Sequence, residues 1–266
     1  MNVLAQIVRE RRADVAAAKR RTSLRDLLWA AERRIHHSLV ERLGKGPLPR
    51  IVAEVKQRSP SAGRLREDYD PAAVALEYEA AGAVGISVLT EPRHFGGSEA
   101  DLRAVRAAVG LPVLRKDFMV DPYQVAEAAA WGADVVLLIA AALDPGLCRV
   151  LYKESLELGL ETIVEVHGVD EIEVALSCKQ AVIGVNSRNL KTLKTDLRVA
   201  RELVAALPEN RLCIAESGIK SARDIHVLQT AGYDGFLIGE SLLKAASPGR
   251  ALVALLSEVR HPERNP

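Results

Sequence analysis

Eight short apolar runs alternate with eight segments of helical character, and this alternation restricts the fold more than any other feature. The runs are Ile51–Val55, Val84–Leu89, Leu111–Leu114, Val135–Ile139, Thr162–Val166, Ala181–Val185, Leu212–Ala215 and Gly235–Ile238. The helical segments are Pro71–Ala81, Ser98–Ala108, Pro122–Trp131, Asp144 to about Leu158, Val169–Ser177, Asp196–Leu207, Ser221–Ala231 and Leu242–Val259. A strand–helix repeat of roughly 20–35 residues is typical of βα units that build a parallel sheet.

The runs are apolar at almost every position, which predicts a sheet that is buried on both faces. Eight such units predict an α/β protein with a single (β/α)8 TIM barrel, a fold of about 250 residues. A doubly wound open sheet is the alternative, but no Gly-x-Gly-x-x-Gly turn follows the first run. The 266 residues are therefore read as one domain, with an N-terminal helical extension and linker over 1–49, the barrel over 50–259 and a tail over 260–266.

The N-terminal extension contains one clear helix pattern, Val3–Arg21, with apolar residues on one face and many arginines on the other. This helix is expected to cap the barrel floor, to contribute to the mouth of a site or to form an interface. Leu43–Arg50, with two prolines and two glycines, is interpreted as the linker into the first strand.

Composition excludes several classes of function. A net charge of +1 provides no overall field for nucleic acid or an anionic membrane, so any anion site must be local. No run approaches the roughly 20 apolar residues of a membrane helix, and the charged first residues do not fit a signal peptide. We therefore expect a soluble, cytoplasmic protein. The cysteines and histidines lack metal-ligand spacing, so no metal is predicted.

Charged residues stand at the ends of several runs, where burial without a reason is costly. Glu54 and Lys56 are two residues apart in a strand and so point to the same face, while Lys116 and Glu165 end the third and fifth runs. Two carboxylates and two ammonium groups at one barrel mouth could perform acid–base catalysis. The alternative is a structural network of salt bridges.

Two glycine-containing turns predict an anion site. AESGI ends the seventh run and LIGESL joins the eighth run to its helix, so Ser217-Gly218 and Gly239-Glu240 can present backbone N–H groups. Barrels frequently bind phosphate after strands seven and eight. The alternative is that both glycines only permit tight turns, and Glu240 suits a phosphate only through its backbone.

Arg188, Asn186 and Phe118 are further candidates for substrate binding, whereas His167 is not. Arg188 offers a planar fork that suits a carboxylate, with Asn186 beside it, although Asn-Ser-Arg-Asn can also be an ordinary polar turn. Phe118 is expected in an aromatic pocket or in the core. His167, which follows the fifth run, is interpreted as structural or peripheral.

In order and spacing, several stretches of the chain resemble the indole-3-glycerol-phosphate synthase family. They are IVAEVKQRSPSAG, SVLTEPRHFGGS, PVLRKDFMVDPYQV, ADVVLLI, VEVH, IGVNSRNLKTL, AESGI and LIGESL. Any one stretch is weak, but together they cover the chain from about Val3 to Leu255. The N-terminal helix is also similar to the extra helix that this family places before its barrel.

The resemblance implies a cofactor-free ring closure of 1-(2-carboxyphenylamino)-1-deoxyribulose 5-phosphate to indole-3-glycerol phosphate, carbon dioxide and water. It implies that Lys116 is the acid toward the ribulose carbonyl and that Glu165 is the base in the final dehydration. Lys56 is a possible second acid, and Glu54 orients hydroxyls and tunes the lysines. Which lysine serves which step stays open.

The resemblance also implies how a small phosphorylated substrate is bound. Arg188 and Asn186, the latter counted among the catalytic groups, would hold the carboxylate and hydroxyls. The aromatic pocket would contain Phe118, Leu137 and Leu190. The phosphate and neighbouring substrate positions would be Lys56, Ser59, Ser217, Gly218, Gly239 and Glu240.

This chain departs from the family pattern at three positions. Ser187 stands where a second asparagine is common, Glu240 where serine or alanine is frequent, and Ala62 where lysine is often found. Two alternatives to the synthase activity are another phosphate-binding barrel enzyme, similar to phosphoribosylanthranilate isomerase, and a non-catalytic barrel that binds a phosphate ligand. We expect a monomer that self-associates weakly if at all.

Overall fold

The computed structural model describes residues 3–190 and 192–261, and its centre is a closed barrel of parallel strands. The strands are β1 (Ile51–Val55), β2 (Gly85–Leu89), β3 (Val113–Lys116), β4 (Val135–Ile139), β5 (Glu161–Val166), β6 (Val182–Asn186), β7 (Cys213–Glu216) and β8 (Gly235–Ile238). Each strand pairs with its sequence neighbours, and β8 pairs with β1, which closes the barrel. The predicted (β/α)8 barrel is confirmed, and every strand matches a predicted run to within two residues at each end.

Helices surround the barrel and extend its N-terminal side. They are α1 (Val3–Arg21), α2 (Leu24–Ala31), α3 (Leu39–Lys45), α4 (Pro71–Ala81), α5 (Glu99–Ala108), α6 (Pro122–Trp131), α7 (Pro145–Glu157), α8 (Ile172–Ser177), α9 (Leu197–Val204), α10 (Ala222–Thr230), α11 (Glu240–Leu243) and α12 (Pro248–Arg260). Residues 262–266 of the expected tail lie outside the described residues.

The helix expected over Leu242–Val259 is two helices, so that prediction was wrong. The chain leaves the helical conformation after α11 and re-enters it at Ser247, whose side chain accepts the backbone N–H of Arg250. Pro248 then occupies the first turn of α12, where its missing N–H costs nothing. A Ser-Pro start signal inside the apolar pattern therefore marks the break.

Alternation along the strands separates an inner core from an outer one. The inner core contains Val52, Leu114, Leu137, Ile163, Val182, Ile214 and Leu237, and the residues between them pack outward against the helices. Since strand side chains alternate, residues two positions beyond an inner residue also point inward, toward the barrel mouth. Glu54, Lys116 and Glu165 are such residues.

Helices of the N-terminal extension lie at both ends of the barrel. Three helices are present where the sequence analysis expected one, because Ser23 and Ser38 cap two further short helices. Leu43 of α3 is fully buried in the inner core, and a Cβ on Gly235 would lie 2.6 Å from its Cδ2. The linker therefore begins later than the predicted Leu43, and α3 closes the floor.

Helix α1 lies at the opposite end, at the mouth of the barrel. Leu4 and Ile7 join the inner core, and Arg11 donates through Nη2 to Oδ2 of Asp117 at 2.8 Å. The same Asp117 oxygen accepts the Thr90 hydroxyl at 2.7 Å, and these polar groups are buried. Burial raises the pKa of Asp117, but the charges of Arg11 and of the neighbouring Arg115 outweigh it and lower the pKa overall. A buried ion pair thus fixes α1 beside the end of β3.

Among residues 3–190 and 192–261, no helix combines the length and apolar character that a membrane span needs.

Candidate active site

A cavity of about 540 Å³ lies at the carboxyl ends of the strands, beneath α1 and the loops that follow the strands. Its wall includes all the nominated residues: Glu54, Lys56, Ser59, Lys116, Phe118, Leu137, Glu165, Asn186, Arg188, Leu190, Ser217, Gly218, Gly239 and Glu240. This is the end of the barrel where such enzymes carry their active sites. The structure brings the nominated residues together, and their individual roles stay predictions.

Lys116 is the centre of the polar part of the cavity. Its Nζ donates to Oε2 of Glu165 at 3.1 Å and to Oε2 of Glu216 at 3.0 Å. Burial alone would lower the pKa of this lysine, but the negative charges of Glu165, Glu216 and Glu54 outweigh it, so the pKa is raised. Lys116 is therefore a cation held between two carboxylates.

The pKa values of the two carboxyl groups beside Lys116 are shifted in opposite directions. Burial raises the pKa of Glu165, but Lys116 and His167 outweigh that effect and hold the pKa below its usual value. Burial and the charge of Glu165 raise the pKa of Glu216, and Lys116 only partly opposes them. Two titratable groups with separated pKa values give the site one ready base and one group inclined to keep a proton.

Glu216 is a site residue that the sequence analysis missed. It is almost completely buried and lines the cavity beside Lys116. The predicted seventh run stopped at Ala215, one residue short. Ile214 points into the barrel, so strand alternation was a signal that could have placed Glu216 on the same face.

Gly184 of β6 provides the space that Glu216 occupies. A Cβ at this position would lie 2.3 Å from Oε1 of Glu216 and 2.9 Å from Cγ2 of Ile163. Both contacts are far inside van der Waals distance, so no other residue type fits without a shift. A glycine inside a strand often marks such a close approach.

Lys56 and Glu54 form a second buried pair on the other side of the cavity. Nζ of Lys56 donates to Oε1 of Glu54, and Gly239 of the loop after β8 packs directly against this carboxylate. A Cβ on Gly239 would lie 2.5 Å from the same oxygen. The glycine lets the loop approach the Lys56–Glu54 pair closely. This is a role in addition to the tight turn that the sequence analysis considered.

The turn after β7 has an unusual backbone. Ser217 has a φ of 66° and Gly218 a φ of 81°, a left-handed conformation that is uncommon for serine. Such strain concentrates at ligand-binding and catalytic positions. A Cβ at Gly218 would also lie 3.3 Å from Cβ of Thr195, so the predicted anion turn is both strained and closely packed.

The side chain of Glu240 is neutralised by cations. It accepts from Nζ of Lys244 at 2.6 Å, and Nη2 of Arg188 lies 3.6 Å from its other oxygen. Burial raises the pKa of Glu240, and the hydrogen bond from Lys244 outweighs this and lowers it. The negative charge of Glu240, which lies in one of the two glycine turns, is thus offset by the positive charges of Lys244, Arg188 and Lys56.

Part of the cavity wall is apolar. Phe118 and Phe95 lie with ring centroids 6.1 Å apart, and Leu137 and Leu190 belong to the same lining. Ile7 of α1 adds to it, so the extension contributes to the mouth, one of the roles left open by the sequence. The wall is suited to a flat aromatic group.

The loops after β1 and β2 are tied to each other and to α1. Ser59 lies in a small hairpin, Arg58–Ser59 with Gly63–Arg64, and the Arg58 guanidinium donates to the carbonyl of Arg93 at 2.6 Å. His94 contacts Glu10 of α1 at 2.8 Å. Glu91 accepts backbone N–H groups of its own loop, so this run-end carboxylate has a structural role.

The fold and the site define a (β/α)8 barrel with buried titratable groups, two glycine-containing turns and apolar side chains at one mouth. The model of the family described as indole-3-glycerol phosphate synthase matches residues 4–255. The chain belongs to this family.

Two relatives that match nearly the whole chain are members of the same family. The indole-3-glycerol phosphate synthase of Kineococcus radiotolerans is 46% identical over 270 residues, which covers 98% of this chain and 97% of that protein. The synthase of Carboxydothermus hydrogenoformans is 43% identical over 263 residues, covering 96% of this chain and 99% of that protein.

A solved structure shows the fold at much lower identity. Thiamine phosphate pyrophosphorylase from Pyrococcus furiosus has a TM-score of 0.59 and 17% identity, covering 80% of this chain and 96% of that one. At this identity the likeness concerns the fold alone.

The cysteines do not fit the isomerase alternative, which needs an Asp/Cys pair at the strand ends. Cys213 begins β7 and so lies at the amino end of the barrel, away from the cavity. Cys148 is in α7 and Cys178 follows α8, and both are buried in the outer core.

Proposed function

We propose that this protein is an indole-3-glycerol-phosphate synthase and a carboxy-lyase. It converts 1-(2-carboxyphenylamino)-1-deoxyribulose 5-phosphate and one proton to indole-3-glycerol phosphate, carbon dioxide and water. The observation that carries the proposal is Lys116, held by Glu165 and Glu216 in a cavity that also contains apolar side chains and the turns at Ser217-Gly218 and Gly239-Glu240. Family membership makes this reaction the first to test.

In the first step, the anilino ring carbon that bears the carboxylate attacks the ribulose carbonyl. A new C–C bond forms, and the carbonyl oxygen gains electrons that Lys116 neutralises by donating a proton. The charged state of Lys116 supports this role, since a neutral amine could not protonate the oxygen. Holding the ring on the apolar wall would bring the reacting carbon near the carbonyl.

In the second stage, the carboxylate leaves as carbon dioxide and its bonding electrons return to the ring system. The hydroxyl then departs as water after taking a proton from an acid, while a base removes the remaining proton to complete the indole. Glu165 is the proposed base, because its lowered pKa keeps it ionised. Lys56 is the candidate second acid, and Glu216 is a further candidate because its raised pKa favours its protonated form.

Different residues of the cavity would bind the ring, the carboxylate and the phosphate of the substrate. Phe118, Leu137 and Leu190 would hold the ring, and Arg188 with Asn186 the carboxylate and hydroxyls. The phosphate would lie among Lys56, Ser59, Ser217, Gly218, Gly239 and the backbone of Glu240. We further propose a monomer in the cytoplasm with no cofactor, since the acid, the base and the anion contacts all come from one chain.

The test is incubation of the purified protein with the carboxyphenylamino-deoxyribulose phosphate while indole fluorescence is recorded. We expect turnover well above that of a buffer blank and of Lys116→Met. A folded protein that binds the substrate without forming indole would favour the non-catalytic barrel. Absence of both binding and turnover would contradict the proposal altogether.

A further inference from the structure

His167 lies directly behind the proposed base. It follows β5 two residues after Glu165, so both side chains leave the chain on the same face. Nε2 of His167 is 3.3 Å from Oε1 of Glu165, and the other oxygen of Glu165 accepts from Lys116. Only 12% of the His167 side chain is exposed. Glu165 thus has Lys116 on one oxygen and the imidazole on the other.

A second carboxylate faces the other side of the ring. Nδ1 of His167 lies 3.6 Å from Oε2 of Glu171, and the same oxygen accepts the backbone N–H of His167 at 2.7 Å. Glu171 belongs to the short 3₁₀ turn after β5. The carboxylate therefore anchors the backbone of His167 and faces its ring.

The surroundings of His167 favour a charged imidazolium. Burial alone would lower its pKa, but the Glu171 contact and the charges of Glu165 and Glu216 outweigh burial, so the pKa is raised. The cation Lys116 binds the other oxygen of Glu165. A buried imidazole that fills space in a core would have the opposite shift.

Neither ring nitrogen is aligned for a full hydrogen bond, although both are buried. Buried polar groups without aligned partners are rare and ask for an explanation. Here both nitrogens lie within ion-pair distance of carboxylates, so a small rotation of the ring or of Glu165 would align them. The contact can therefore tighten or loosen as the charge of Glu165 changes.

We propose that His167 is a positioning residue for the reaction: anchored by Glu171, it holds Oε1 of Glu165 and keeps this group a carboxylate, leaving Oε2 to work with Lys116. The catalytic consequence rests on the proposed function, whereas the placement and charge of His167 do not. Without His167, Lys116 alone would balance Glu165 and Glu216, and Glu165 would hold a proton up to higher pH.

The first experiment does not depend on activity. Two-dimensional ¹H–¹⁵N NMR of the imidazole groups should give His167 a pKa above the usual histidine value of about 6.5. Glu171→Gln and Glu165→Gln should each lower it, while Glu157→Gln, at an exposed carboxylate of α7, should leave it unchanged. A His167 pKa at or below the usual value, or one that ignores both substitutions, overturns the inference whatever reaction the protein performs.

The second experiment measures kcat and KM against pH for His167→Asn and His167→Gln, with His226→Asn as the matched control. We expect the acid limb of the kcat profile to move to higher pH with KM little changed, by one pH unit for each unit that the pKa of Glu165 rises, so that kcat falls by up to tenfold per unit on that limb and is little changed above it. A loss of equal size at every pH, or one shared with KM, would assign His167 a purely structural role. If wild-type protein forms no indole, the proposed function fails while the NMR result stands.

Discussion

Lys56 and Lys116 are two lysines with similar exposure in one cavity, yet their surroundings differ. Their side chains are 11% and 15% exposed. Lys56 has one hydrogen-bonded carboxylate, Glu54, with the charge of Glu240 as a second negative charge, and it lines the cavity together with the turns after β7 and β8. Lys116 has two hydrogen-bonded carboxylates and feels Glu54 as a third negative charge.

The difference suggests a division of labour that the sequence left open. A lysine enclosed by carboxylates stays charged, so it can donate a hydrogen bond to the carbonyl oxygen and protonate that oxygen once the new C–C bond has made it strongly basic. A lysine with one partner at the edge of the anion turns can give part of its charge to a phosphate. We therefore propose the carbonyl step for Lys116, and phosphate binding with a later acid role for Lys56.

The strongest test of this assignment is Lys116→Met, which keeps the length of the side chain and removes its charge. We expect kcat to fall about 10³-fold, within the range for loss of a general acid, while KM changes little. Lys153→Met, at an exposed lysine of α7, is the control for loss of one positive charge. Retained turnover would move the acid role to Lys56.

Gly184→Ala tests whether Lys116 needs both of its carboxylates. The added Cβ would collide with Glu216 and push this carboxylate away from Lys116, so we expect kcat to fall by up to about 10²-fold. In a Glu216→Ala background only the contact with Ile163 remains, so the same substitution should lower kcat by clearly less than it does in the wild type. Gly44→Ala, where the added Cβ meets nothing within 4 Å, is the matched control. Additive losses in the double variant would show that Gly184 acts by another route.

The sequence predicts the site residues whose position follows from the end of a strand. Apolar runs located the strands, and the carboxyl ends of parallel strands converge in a barrel, so Lys56, Lys116 and Glu165 were expected together. Glu216 was missed because the predicted run ended one residue early.

Contacts between distant parts of the chain could not be predicted. The Arg11–Asp117 pair joins residues 106 positions apart, and no local pattern signals it. Helices α2 and α3 have eight and seven residues, too short to be stable without tertiary packing. The position of the His167 ring against Glu165 likewise depends on the turn after β5, which the run pattern does not describe.

Lys56→Met should differ from Lys116→Met in its kinetics, because it should mainly raise KM rather than lower kcat. Loss of one charge-assisted contact to a phosphate is worth about 1.5–3 kcal/mol, so KM should rise about 10- to 100-fold. The fall in kcat should be smaller than in Lys116→Met. Steady-state kinetics with inorganic phosphate as a competitor should also show weaker inhibition in the variant. A larger loss of kcat in Lys56→Met than in Lys116→Met would reverse the assignment.

Glu216→Gln gives the smallest effect and tests the electrostatics around Lys116 through stability. Burial first, and then the charge of Glu165, raise the pKa of Glu216 to about 7, with Lys116 opposing. A carboxyl whose pKa is raised by folding stabilises the protein while it is protonated, and this contribution is lost as the pH rises through the folded-state pKa. The wild type should lose this stability between about pH 4.5 and 7, whereas the neutral glutamine cannot.

The free energy of unfolding of Glu216→Gln, relative to wild type, should therefore increase from pH 5 to pH 8 by on the order of 2 kcal/mol, as measured by urea denaturation at both pH values. Glu240→Gln is the matched control, because Lys244 lowers the pKa of Glu240 and the stability that the wild type gains from this is almost complete at pH 5, so its difference from wild type should hardly change between pH 5 and pH 8. A difference for Glu216→Gln that is constant with pH would mean that Glu216 is ionised throughout. Lys116 would then balance two full negative charges, and a proton held by Glu216 would have no part in the chemistry.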